Sequence, residues 1–203
     1  MHRLAKKNFT AQDYLKLEES AEYKSEYYKG EIFAMAGGSS NHNRIALNLA
    51  SHLNIGLMNT KCQAFISDLR VWIASEDFFT YPDIFIVCNK IEYYPKRNDI
   101  ILNPLIIIEV LSKSTEAYDR GKKFQFYRSI PAFQEYILID QYSVQIDQFF
   151  IGTDGKWVFT AYNDVNKALK FSKIDFEISL EKIYHLVDFE LAELSAESMA
   201  QSA

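Results

Sequence analysis

The stretch LIIIEVL sets one carboxylate, Glu109, inside an otherwise apolar run. Its length and β-branching mark a strand covered on both faces, with Leu105, Ile107, Glu109 and Leu111 on one side by alternation. An ionised carboxylate there is costly to desolvate unless a cation or several donors pair with it. A bound metal ion would answer that need, and so would a buried Lys or Arg in a purely structural ion pair.

A second carboxylate, Asp83 in YPDIFIV, follows Pro82 at the start of another apolar strand, 26 residues before Glu109. Proline gives no ladder hydrogen bond and so suits a strand beginning or edge. Hard cations such as Mg²⁺ prefer carboxylate and carbonyl oxygens and keep several waters. Asp83, Glu109 and the Val110 carbonyl would make an open site of that kind, able to take Mg²⁺, or Mn²⁺ in its place, and to activate water. Lys123 lies on the next helical segment with Asp119 and Tyr127 at i−4 and i+4. It can be directed toward the end of the Glu109 strand, or it can pair with Asp119 on an exposed face.

The elements that must hold these residues are legible in outline. Thr10 caps a helix from Ala11 to Glu19, and Ile32 to Met35 reads as a short strand. The GGSSN turn opens a helix with Ile45, Leu49 and Leu53 on one stripe. The runs QAFIS, LRVWI, DIFIV, PLIIIEVL, EYILID, VQIDQFF and KWVFTAY read as strands. One helical segment, Glu116 to Ser129, separates PLIIIEVL from EYILID, which suits a crossover between parallel strands. The fold class is α/β or α+β, a mixed sheet flanked by helices.

Across 203 residues, 48% hydrophobic and with seven Gly and four Pro, there is neither a linker nor a repeat, so one domain over 1–203 is expected, with a frayed helical tail over about 189–203. No run is long and apolar enough for a bilayer and the N-terminus lacks a secretory core, which points to the cytoplasm. Cys62 and Cys88 have no metal spacing and read as buried free thiols. The net charge of −5 does not draw polyanions, so a nucleic-acid role needs local charge. From Lys113 to Arg128 five basic residues stand against two acidic ones, a local +3. No nucleophile elbow, Walker loop, dinucleotide fingerprint or H-E-x-x-H motif is present.

The motifs GEI, SSNH, YPD, IIEVLS, YDRGKKFQFYR and EYILID, in this order, resemble the Uma-type restriction endonuclease family over roughly Phe9 to Phe150. That family belongs to the PD-(D/E)XK nuclease superfamily. The resemblance implies a restriction-endonuclease-like fold, cleavage of phosphodiester bonds, carboxylate-bound Mg²⁺ and DNA as substrate. It matches Asp83 to the PD aspartate and Glu109 to the following acidic position. Leu111 stands where the pattern expects lysine, and Lys123 matches the displaced lysine better than Lys122. Glu26 in EYYKGEI resembles a third acidic ligand or outer-shell group, and His42 a family position before the long helix. A homodimer suits double-strand cutting. The loss of the EXK lysine leaves a second reading, an inactive nucleic-acid- or partner-binding module on a nuclease fold.

Overall fold

A computed structural model describes residues 8–35 and 37–190; the expected C-terminal tail lies outside them from residue 191 on. Thr10 caps α1 (Ala11–Glu18) through a reciprocal bond pair with Asp13. Two short strands follow, β1 (Ser25–Tyr28) and β2 (Glu31–Ala34), and then α2 (Ser40–Gly56). The next strands are β3 (Cys62–Ile66), β4 (Arg70–Ile73), β5 (Phe78–Thr80), β6 (Ile84–Cys88), β7 (Ile100–Ile101) and β8 (Ile106–Leu111). The helical segment 116–127 leads to β9 (Glu135–Asp140), β10 (Ile146–Ile151), β11 (Trp157–Tyr162), β12 (Ala168–Lys170), β13 (Glu177–Ser179) and a short helix, Leu180–Ile183.

The fold is α+β with a mixed central sheet ordered β11-β10-β9-β8-β6-β3. β8 and β9 run parallel, joined by the helical segment as the chain length between them requires, while the other neighbours are antiparallel. A five-stranded sheet, β2-β1-β5-β4-β7, packs beside it, so the LRVWI strand lies in this second sheet. The stripe Ile45, Leu49, Leu53 of α2 covers one face of β6, β8 and β9 together with Leu180 and Ile183. The opposite face, carrying Ile107, Leu111 and Tyr136, meets Phe126 and Tyr127 of the helical segment and Phe78 of the second sheet. β8 is buried along its whole length, as its unbroken apolar run demands. Leu105, just ahead of β8 and behind Pro104, departs from the expected alternation and packs on the α2 face.

Cys62 and Cys88 are not free thiols. They sit opposite one another in the β3–β6 register and form a disulfide. Two cysteines 26 residues apart carry no sequence sign of such pairing; only the strand register brings them together. The bond closes a loop of 26 residues that leaves β3, passes through β4 and β5 of the second sheet and returns in β6, which in chain-entropy terms is worth about 3.5 kcal/mol. Unreduced protein should therefore show no reactive thiol in a colorimetric assay. Reduction should lower the denaturant midpoint while leaving the circular dichroism spectrum unchanged, and an unchanged midpoint would remove the bond from the stability account.

Candidate active site

The site lies at the C-terminal end of β8, where β6 stops short. The register pairs Ile84 with Ile108, so continuing it by two residues would set Pro82 opposite Val110. Proline has no N–H to donate, so the ladder cannot go on. The Asp83 side chain takes over instead: its Oδ2 accepts from the Val110 N–H at 2.8 Å, and the Asp83 N–H donates to Glu109 Oε2 at 3.3 Å. The N–H and C=O of one residue leave a strand on the same edge. The Val110 carbonyl thus faces the Asp83 side and not β9.

Glu109 is 3% exposed. Its Oε1 accepts from the Tyr127 hydroxyl at 2.7 Å and lies 2.8 Å from Lys123 Nζ. Burial pushes its carboxyl up to about 8; the Lys123 ammonium opposes that shift, and the neighbouring Asp83 and Asp119 carboxylates add to it. Lys123, 6% exposed, is driven the other way by burial, yet Glu109 first, with Asp119 and Glu26 beside it, holds its ammonium well above the ordinary lysine value. The lysine is charged, and Glu109 is the group whose proton is in play.

Lys123 is aimed by the shape of its helix. The segment runs Glu116–Tyr118 as α-helix, Asp119–Lys123 as a π-turn and Phe124–Tyr127 as α-helix, a break in regular winding that the sequence did not show. The Tyr136 hydroxyl donates to the Asp119 carbonyl inside the turn at 3.1 Å. Asp119 Oδ1 lies 3.3 Å from Lys123 Nζ, and this i,i+4 pair is buried, not exposed. Lys122 points elsewhere, its ammonium 4.2 Å from the Tyr28 ring centroid. Of the two adjacent lysines, only Lys123 reaches Glu109.

Glu26 comes to the cluster from β1, fully buried. It accepts from the Thr80 hydroxyl, with Lys123 Nζ at 3.7 Å. It meets the other carboxylates through Lys123. Burial raises its pKa against the pull of that ammonium. His42, in the first turn of α2, lies with Nε2 at 3.1 Å from Asp83 Oδ2. Burial disfavours its charged form, but the bond to Asp83 and the nearby Glu109 and Asp119 charges outweigh burial and raise its pKa. Ser39 caps α2 by accepting from the His42 N–H at 3.1 Å and also donates to Gln141, whose amide donates to the Leu111 carbonyl at 2.7 Å. The helix start is thereby tied to the end of β8.

Asp83, Glu109, Val110, Lys123, Glu26 and His42 therefore converge. In the sequence Tyr127 and Asp119 stand only as helical neighbours of Lys123; that i−4 and i+4 spacing was their only signal. The basic run does not form one open face: Arg120 pairs with Glu116 and Asp147, Arg128 lies over Phe124, and Lys113 lies over Tyr142.

No group of three His, Cys, Asp or Glu among the described residues forms a ready-made metal cage. Two carboxylates and a backbone carbonyl instead form an all-oxygen, incomplete set, which suits a hard divalent cation that retains water. Asp83 spends only Oδ2 on its described bonds, leaving an oxygen for such an ion. The donor set fits.

The family model Uma2, described as "Putative restriction endonuclease", matches residues 11–181. Two proteins of Synechocystis sp., the uncharacterized proteins sll1609 and slr1290, are 38% and 35% identical to this chain. The alignments cover 82% and 88% of this chain and 94% and 92% of those proteins. A crystal structure of a putative nuclease belonging to DUF820 from Anabaena variabilis superposes with a TM-score of 0.70 at 19% identity. It covers 91% of this chain and 99% of its own, and so shows a shared fold.

Glu109 gives metal-free protein a pH signature. Its folded pKa, about 8, lies above the ordinary 4.5, so the folded state holds that proton more tightly than the unfolded state. The stabilisation is complete below pH 4.5 and is lost as pH rises through 8. Thermal unfolding in EDTA should show a midpoint falling by several degrees from pH 5.5 to 8.5. Glu109→Gln, which cannot ionise, should flatten that slope; a wild-type midpoint that rises over this interval would contradict the assignment.

Proposed function

The chain belongs to the Uma2 putative restriction endonuclease family, and from that premise we propose that it is a metal-dependent endonuclease that hydrolyses phosphodiester bonds in DNA. The observation that carries the reading is the pair of carboxylates, Asp83 and Glu109, locked together at the frayed edge of β8 with Lys123 against one of them. Asp83, Glu109 and the Val110 carbonyl would hold Mg²⁺, or Mn²⁺ in its place. Bound there, the cation supplies Lewis acidity and lowers the pKa of a coordinated water.

The chain's own residues do the rest. Asp83 is oriented by the Val110 amide on one oxygen and by His42 on the same side. Burial raises the Glu109 carboxyl's hold on its proton, and a cation bound there would compete with that proton, so metal affinity should rise with pH up to about pH 8. Lys123, charged and fixed by Glu109, Asp119 and Glu26, places positive charge at the floor of the site, where phosphate charge develops during cleavage. Glu26 serves as a positioning residue for that ammonium.

A binding module without cleavage is favoured by one observation, Leu111 at the customary lysine position, buried and unable to carry charge. Lys123 answers that objection, since it brings an ammonium to Glu109 from the neighbouring helix. Action on DNA inside the cell would set the chain in the cytoplasm, whose reducing poise would open the Cys62–Cys88 disulfide. The described residues contain no helix long and apolar enough to cross a membrane.

Purified protein should nick or linearise plasmid DNA with Mg²⁺ or Mn²⁺ and not with EDTA. Asp83→Ala and Glu109→Ala should each abolish cleavage, and Lys123→Met should lose about 100-fold or more while remaining folded. Salt-sensitive DNA binding with no cleavage in any metal would establish the binding module instead.

A further inference from the structure

The central sheet ends at β11, and no strand among the described residues pairs with its far side. The Gly152 N–H donates to the Lys156 carbonyl at 2.7 Å, one step beyond the Ile151–Trp157 pair of the β10–β11 register. Hydrogen-bonded pairs alternate along an antiparallel ladder. Phe150–Val158, Gln148–Thr160 and Ile146–Tyr162 therefore exchange bonds across the hairpin, and the main-chain groups of Trp157, Phe159 and Ala161 point outward. The other parity agrees: Ile151 turns away from β11 and donates to the Gln134 carbonyl at 3.0 Å.

Free edges normally carry a charge, a proline or a bulge that blocks further pairing. The strand WVFTAY has neither a charged residue nor a proline. Phe159 is 57% exposed, Val158 is exposed beside it, and the Phe159 ring packs on Phe149 with centroids 5.0 Å apart.

We propose that β11 pairs with β11 of a second copy of this chain, antiparallel, about a two-fold axis at Phe159. The three outward residues are symmetric about that position. Trp157 meets the partner's Ala161, Phe159 meets the partner's Phe159, and Ala161 meets the partner's Trp157, each pair exchanging two main-chain bonds. Self-pairing needs no sequence but this one and brings charge-free strands together without repulsion. A polyanion would find no cation on this strand to bind. The two central sheets become one, and the Phe149–Phe159 aromatic row continues across the axis.

Sedimentation equilibrium of the full chain at micromolar concentration should give the dimer mass. Ala161→Pro removes an N–H that faces outward, leaving the β10–β11 bonds in place, and should halve the mass with an unchanged circular dichroism spectrum. Should that variant fail to fold, Phe159→Lys, which sets two ammonium groups against each other at the axis, carries the same test. Phe159→Cys should cross-link into dimers on mild oxidation, and Leu47→Cys, exposed on α2, should not. A monomeric wild type, a dimer that survives both β11 substitutions, or cross-linking through Leu47→Cys and not Phe159→Cys would overturn the proposal.

Discussion

The 2.8 Å contact between the Lys123 ammonium and the Glu109 carboxylate, closed off from solvent on both sides, sets the terms for its surroundings. Desolvating either charge alone is prohibitive, and the pair by itself leaves lone pairs and protons unsatisfied. Tyr127 and the Asp83 amide complete Glu109, while Asp119 and Glu26 complete Lys123. Removing Lys123 would leave Glu26, Glu109 and Asp119 crowded in the interior without their shared cation. The cluster is also unbalanced: Glu26, Asp83, Glu109 and Asp119 face Lys123 and His42. An excess of carboxylate around a buried acid whose pKa is pushed up to about 8 is an arrangement that a divalent cation would relieve.

The fold brings these residues together by interrupting regular structure at three points. Pro82 ends the β6–β8 ladder and opens an edge that the Asp83 side chain fills. The π-turn at Asp119–Lys123 breaks the regular winding of its helix where Lys123 meets Glu109 of β8. The capped start of α2 carries His42 to Asp83 and is tied through Gln141 to the end of the same strand. Rigid packing backs each of them, with Leu49 and Leu53 on one face of the sheet and Tyr136 and Phe126 on the other.

Where one residue contradicted its local pattern, the sequence was readable. Glu109 stood out because a charge in a doubly buried strand demands a partner, and Asp83, an ordinary strand-start residue by itself, drew its weight from Glu109. The parallel β8–β9 pair followed from the length of the crossover. Other features depended on tertiary geometry. Lys122 and Lys123 are adjacent, and which of them faces the strand depends on how the helical segment is set against β8. Tyr127 stood in the sequence only as the i+4 neighbour of Lys123; its hydroxyl became significant once Glu109 was in reach. Cys62 and Cys88 meet through strand register, which no spacing rule encodes, and LRVWI looks like the central strands although it belongs to the second sheet.

Asp83, Glu109 and the Val110 carbonyl are proposed to hold a divalent cation, and a crystal of the protein soaked in Mn²⁺ near pH 8 and measured for anomalous scattering would reveal it. One strong peak is expected within coordination distance of those three groups, lost in Asp83→Asn crystals that otherwise superpose. A well-ordered Asp83–Glu109 pair with no peak between them, or Mn²⁺ bound only elsewhere on the molecule, would contradict it.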